Sequence, residues 1–325
     1  MWKYWVSYVL SLILGGSLFL LLVWVFKPAE FPFPGQTVDA PVPSYLTLIN
    51  NKEVRFLDLW TPIIKTIYGA DLAGPQVSAK AVLMFDTTTG KTLYDKNPRE
   101  RLPMASLTKI MTAIIALENR LPDDKYIVTP SDVVGEDSMG LSPGETVGFQ
   151  DLLYGLLLPS GNDAAETLAT NFPEGRKAFI NAMNQKAKAL GLTDTHFTNP
   201  SGLQGDGDQY TTPYDLLIIT RYALENFPLF AKVVSTYEHD IPATETHKFY
   251  RLINETNLLT TYKGVKGVKT GYTPEAGYCL VTYLDYKSHK IIGILLGSED
   301  RRDEMKNLLD FSLRSLKIIP PLFPR

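Results

Sequence analysis

The chain has 325 residues, 45% of them apolar and 21% charged, with a net charge of −3 and a single cysteine, Cys279. That length buries a substantial core in one large domain or two modest ones, and the apolar fraction excludes disorder over most of the chain. The charge balance carries no basic footprint for nucleic acid, and one cysteine excludes an internal disulfide, a thiolate zinc cage or an iron–sulfur cluster.

The apolar residues begin in a block. Trp5 to Phe26 is free of charge and bounded by Lys3 and Lys27. Its 22 residues suffice to span a bilayer as a helix, whereas a cleaved signal peptide has a shorter apolar stretch and a small-residue cleavage site. No such site follows in Lys27-Pro28-Ala29-Glu30-Phe31-Pro32, so we expect a retained transmembrane anchor. Trp2, Trp5 and Trp24 stand near its ends, where aromatic rings favour the interface. A short N-terminal tail before a large folded domain fits a cytoplasmic tail, residues 1–26 forming tail and anchor, with the rest outside the cytoplasm. Prolines 28, 32, 34, 41 and 43 make the next stretch a semi-rigid spacer. It runs into a mixed segment whose structure the sequence leaves open, together residues 27–74.

A regular domain is expected over residues 75–317, followed by a short tail, 318–325. Ala79–Asp86 and Lys91–Asp95 flank Thr87-Thr88-Thr89-Gly90, a hairpin signal. Apolar periodicity predicts helices over Ser106–Asn119, Asp151–Leu158, Asp163–Thr170, Gly175–Leu190 and Pro213–Asn226. Strand-like runs follow at Gly264–Thr270, Tyr278–Leu284 and Lys290–Leu296, then an amphipathic helix over Glu299–Leu316. This order predicts an α/β fold of the α+β type: an antiparallel sheet completed by both ends of the domain, flanked by helices, with a helical insertion between.

Several familiar sites are missing. There is no G-x-S-x-G elbow. The histidines His196, His239, His247 and His289 form no zinc motif and read as surface or satisfied side chains, so neither metal nor cofactor is expected. Gly90-Lys91-Thr92 resembles the end of a phosphate loop, but Phe85 stands where its first glycine is needed, which leaves a hairpin turn.

Three short segments remain. In Ser106-Leu107-Thr108-Lys109 a hydroxyl and an amine three residues apart share a helix face, about 5–6 Å from each other. A serine needs a base to become a nucleophile, and a buried lysine near another cation can serve. Ser160-Gly161-Asn162 falls in a break between two helices, and Lys269-Thr270-Gly271 ends a strand. Each alone also fits a capped helix, a turn or a strand terminus. Each occurs once, in this order, and together they are far more specific.

S-x-x-K, S-x-N and K-T-G in this order resemble the signature of penicillin-binding proteins and serine β-lactamases. Met104–Ala113, Leu158–Ala165, Val265–Thr273 with Ala276-Gly277-Tyr278-Cys279, and Asn199-Pro200-Ser201-Gly202-Leu203 are similar to segments of the low-molecular-weight D-alanyl-D-alanine carboxypeptidases. The resemblance runs from about Lys80 to Ser298. It implies a DD-peptidase-like fold and a peptidoglycan stem peptide ending in D-Ala-D-Ala as substrate, with β-lactams as inhibitors. In the implied roles, Ser106 attacks the penultimate D-alanine and Lys109 takes its proton. Ser160 and Lys269 relay a proton to the leaving amine, and Asn162 orients Lys109 and the substrate amide. Thr270, next to Gly271, binds the terminal carboxylate, and the backbone N–H groups of Ser106 and Tyr272 form the oxyanion hole.

The resemblance also implies alternatives: a D,D-endopeptidase on cross-links, or a β-lactam sensor that barely turns over. A class A β-lactamase would need an E-x-x-L-N segment, which is absent. Two departures stand out. Some members carry an arginine upstream of K-T-G, whereas Asn254–Leu259 has none. Only 54 residues follow Gly271, too few for the β-rich second domain of many relatives.

Overall fold

The computed structural model describes residues 60–64, 74–121, 123–204 and 207–322. The expected anchor at Trp5–Phe26 and the proline spacer lie outside the described residues, and no described helix is long and apolar enough to cross a membrane.

The hairpin forms as expected: strands β1 (Ala81–Asp86) and β2 (Lys91–Lys96) pair antiparallel across a turn closed by Gly90 N–H donating to Asp86 O at 2.8 Å. The three later runs become β7 (Val265–Thr273), β8 (Gly277–Tyr286) and β9 (His289–Ser298). Among the described residues they join the hairpin in a five-stranded antiparallel sheet of order β2-β1-β9-β8-β7, so both ends of the domain do complete one sheet. β1 lies inside it and is buried along its length, so its apolar residues divide between two faces. Ala81, Leu83 and Phe85 join the helical core, while Val82 and Met84 pack with Met305, Leu308 and Leu309 of the closing helix α8 (Arg301–Ser315).

The insertion supplies the helical face. Helix α1 (Lys109–Glu118) is buried from Lys109 to Ala116. A helix apolar on nearly every side belongs in the middle of a bundle. Around it stand α2 (Phe149–Leu157), α3 (Asn162–Thr170), α4 (Arg176–Ala189) and α5 (Pro213–Asn226). α5 starts where Thr212 accepts from Asp215 N–H at 3.0 Å with Pro213 in the first turn, a strong N-terminal signal.

The sequence reading leaves out several shorter elements. The pairs β3 (Tyr126–Ile127) with β4 (Thr146–Val147) and β5 (Glu238–Ile241) with β6 (Tyr250–Ile253), and helices α6 (Pro228–Val234) and α7 (Leu258–Thr261), are too short to show a period. Trp60, from the segment whose structure the sequence leaves open, packs on the helical core, its ring edge-on to Phe85 at 5.5 Å with Arg221 stacked over it.

Candidate active site

β7 is the edge strand of the sheet among the described residues, and the first motif is held against it. Helix α1 is entered through a tight 3-10 turn, Ala105–Thr108, in which Ala105 takes φ +47°. A left-handed alanine costs about 1–3 kcal/mol and persists only where the surroundings impose it. Here they do. Thr108 Oγ1 donates to Ala105 O at 2.8 Å, and two glycines press on the turn from outside. A Cβ on Gly202 would lie 2.1 Å from Ala105 O, and one on Gly271 would lie 3.1 Å from Ser106 N. The glycine of K-T-G is therefore what lets β7 lie against the nucleophile turn.

The second motif follows α2. Ser160 is also left-handed, at φ +63°, and Asn162 opens α3, its N–H donating to Asp137 O at 2.7 Å. Asp163, wholly buried in the first turn of α3, accepts from the backbone N–H groups of Met139, Gly140 and Leu141 and from the Ser138 hydroxyl. One carboxylate thus pins the loop just after Glu136 and Asp137, which line the cleft.

The three motifs meet. Lys109 Nζ lies 2.8 Å from Ser106 Oγ, 2.7 Å from Asn162 Oδ1 and 2.7 Å from Ser201 O. The last two atoms can only accept. A neutral Lys109 amine has two hydrogens, which they consume, and its lone pair is left for the Ser106 hydroxyl. Burial pushes Lys109 well below the usual lysine range, and the charge of Lys269 pushes it further. Lys269 is itself lowered to about 8, chiefly by burial. Ser160 Oγ is buried without a hydrogen-bond partner and lines the same cleft as Ser106. The arrangement can generate an alkoxide-like serine without histidine or metal, at the foot of an edge strand suited to an extended peptide.

The cleft holds about 440 Å³ and is lined by Ser106, Ser160, Thr270, Gly271 and Tyr272, with Glu136, Asp137, Glu255 and Arg301 around them. All eight residues singled out in the sequence thus lie in or directly beside one cleft. Two contributors escaped the sequence reading. Ser201 acts through its backbone carbonyl, and its type is therefore silent; the clue was the turn Asn199–Gly202, where Asn199 Oδ1 accepts from Gly202 N–H at 2.7 Å and Asn199 Nδ2 donates to Leu203 O at 2.7 Å. Arg301, the first residue of α8, donates from Nη1 to Gly271 O at 2.9 Å. The stretch Asn254–Leu259 upstream of K-T-G holds no arginine, but Arg301 reaches the same cleft from 32 residues downstream of Lys269, and no local spacing announces it. The histidines stand elsewhere: His289 pairs with buried Asp86 at 2.8 Å, and His239 stacks on Tyr154.

With this geometry in hand, comparison with known proteins is decisive. The model of the D-alanyl-D-alanine carboxypeptidase family matches residues 69–300. The chain belongs to that family. It is 36% identical over 254 residues to D-alanyl-D-alanine carboxypeptidase DacF of Bacillus subtilis, covering 74% of this chain and 64% of that relative's length. The D-alanyl-D-alanine endopeptidase of Pseudomonas aeruginosa is 35% identical over 213 residues, 63% of this chain and 67% of the relative. Among solved structures, the Streptomyces K15 DD-transpeptidase superposes with a TM-score of 0.70 at 33% identity, covering 75% of this chain and all of that one.

Proposed function

We propose that this family member is a serine-type D-alanyl-D-alanine carboxypeptidase that removes the terminal D-alanine from peptidoglycan stem peptides. The observation that carries the reading is the placement of Lys109 Nζ between Ser106 Oγ and two acceptors, with no carboxylate among its hydrogen-bond partners.

In this reading the substrate lies along β7. Ser106 Oγ attacks the carbonyl of the penultimate D-alanine as its proton passes to Lys109. The backbone N–H groups of Ser106 and Tyr272 stabilise the oxyanion. When the C–N bond breaks, Ser160 and Lys269 deliver a proton to the leaving D-alanine nitrogen, and Asn162 keeps Lys109 and the substrate amide aligned. Thr270 and Arg301 take the terminal carboxylate, and Gly271 lets the peptide backbone close on the strand. Water then adds to the acyl-enzyme, the ester bond breaks, and Ser106 recovers its proton. A β-lactam enters the same path and stops at the ester.

A D,D-endopeptidase reading uses the same residues, and it is favoured by the similarity to a relative of that name. The catalytic unit in this proposal is residues 75–317, held on the extracytoplasmic side of the membrane by the apolar segment Trp5–Phe26. Incubation with a peptide ending in D-Ala-D-Ala, followed by assay of free D-alanine, tests the reading. Release by the wild type and none by Ser106→Ala is expected. Conversion of cross-linked dimers to monomers without D-alanine release from the linear peptide would favour the endopeptidase, and activity surviving in Ser106→Ala would remove the serine mechanism altogether.

A further inference from the structure

The end of the cleft that would receive a substrate carboxylate already holds a carboxylate of the protein. Thr270 Oγ1 donates to Glu255 Oε2 at 3.0 Å. A threonine hydroxyl has one hydrogen to give. While Glu255 holds it, an incoming anion cannot. Glu255 also places negative charge near Arg301, which lines the cleft, and near buried Lys269 beside it, and it raises the pKa of each against the effect of burial. Arg301 spends only one of its N–H groups on Gly271 O, so its attraction for an anion persists but is partly offset.

The backbone that carries Glu255 is fastened. Asn254 Nδ2 donates to Val234 O at 3.2 Å and Thr236 O at 3.0 Å, Asn254 Oδ1 accepts from Thr256 N–H at 2.9 Å, and Glu255 N–H donates to Leu158 O at 3.2 Å. The Glu255 residue itself is exposed. Its side chain is thus a carboxylate on a fixed mount, held to Thr270 by one hydrogen bond and able to leave it for solvent.

We propose that Glu255 is a specificity-determining residue. It occupies the Thr270 hydroxyl in the free enzyme and competes with the terminal carboxylate of an incoming peptide, so it weakens binding of a free-acid D-Ala-D-Ala terminus more than binding of the same terminus capped as an amide. The proposal rests on the reading of the reaction given above. A capped terminus still offers its carbonyl oxygen to Thr270 but brings no second negative charge. Glu255 therefore acts on binding, before any covalent step, and its mark is on KM.

The test compares wild type, Glu255→Gln and Glu255→Ala on one acyl-D-Ala-D-Ala peptide as free acid and as C-terminal amide, with thermal melts to confirm folding. For the acid, KM should fall about tenfold in Glu255→Ala, and by less in Glu255→Gln, which keeps an acceptor for Thr270; the size follows from removing one partly screened charge at close range. For kcat on either peptide, and for KM of the amide, changes within twofold are expected. Acylation by benzylpenicillin, which carries a carboxylate, should accelerate by the same factor as the acid's KM falls. An equal fall of KM for acid and amide, a rise of KM for the acid, or a change confined to kcat would overturn the proposal. If no form of the protein releases D-alanine, the functional reading fails separately, and the penicillin rates alone decide on Glu255: an unchanged rate rejects its role.

Discussion

Two regions of this molecule bury lysines completely, and they do so in opposite ways. Between α1, α4 and α5, Lys186 Nζ meets Glu118 Oε1 at 2.7 Å, and the Tyr222 hydroxyl donates to the same oxygen at 2.8 Å. Both partners are sealed, with side-chain exposures of 1% and 2%. Burial pushes the Glu118 carboxyl up, against the pull of Lys186 and Tyr222. At the other end of α1, Lys109 is equally buried, but its partners are a hydroxyl, an amide oxygen and a peptide carbonyl, and the charge that acts on it most is that of another lysine. A buried ammonium with a carboxylate has its charge compensated and stays inert. One without a carboxylate gives up its proton readily, and that readiness is a chemical capacity. One helix thus carries a structural ion pair at its last turn and a candidate base at its first.

Substitutions at these positions should separate the two roles. The largest effect is expected for Ser106→Ala, which should abolish acylation by a fluorescent penicillin and reduce D-alanine release by at least about 10⁴-fold. Lys109→Met should cost about 10³-fold in acylation rate while leaving the melting temperature equal or higher, since it removes an uncompensated buried amine. Lys186→Met should do the reverse. It strands the Glu118 charge and should destabilise the fold by about 3–5 kcal/mol in denaturant titration, with activity per folded molecule within twofold of wild type. If Lys109→Met proved as destabilising as Lys186→Met, the distinction between the two regions would fail.

The contrast also explains what could be read from the sequence. Helix α1 was legible because Leu107, Ile110, Met111 and Ile114 repeat with helical spacing, and the sheet was legible because β1, β8 and β9 carry nearly continuous apolar runs bounded by turn residues. The three motifs were legible because their chemistry resides in side-chain identity. The third partner of Lys109 was not, because Ser201 contributes a backbone oxygen that any residue could supply. Arg301 was hidden differently: the turn into α8 delivers it to β7, and that juxtaposition exists only in three dimensions. In the sequence the segment Asn254–Leu259 showed only that it lacks an arginine, and the hydrogen bond to Thr270 is what gives Glu255 a part of its own. The Lys186–Glu118 pair joins residues 68 apart, and nothing in either segment marks the partner.

A smaller effect is expected where Lys109 depends on backbone geometry. Gly202 sits at φ +92°, and an added methyl would drive into Ala105 O. Gly202→Ala should displace both the nucleophile turn and the Ser201 carbonyl, lowering kcat by about 10²-fold, since displacements near 1 Å at a reacting centre cost that much. KM should change little, because Thr270 and Arg301 stand on other elements. A rise in KM with kcat unchanged would mean that the Asn199–Leu203 turn contacts substrate and does not position the base.

The mildest test varies only pH and uses the fact that Lys269 is held near 8. In the proposed reaction Lys109 must be neutral and Lys269 charged, so acylation should rise as Lys109 loses its proton and fall as the pH passes about 8, by roughly tenfold for each further unit. Stability should move the other way. The folded pKa of Lys269 lies below its ordinary value of 10.5, so between about 8 and 10.5 the unfolded chain binds more protons at this residue than the folded one. Its contribution to stability therefore increases with pH across that window, is complete above it, and is lost as the pH falls to 8. Lys269→Met removes the group, so the stability gained by that variant over wild type should be largest at pH 7.5 and shrink steadily toward pH 10 in denaturant titrations. A gain that stayed constant across this range would show that burial does not hold Lys269 below its ordinary value, and the alkaline limb of the rate profile would then belong to another group.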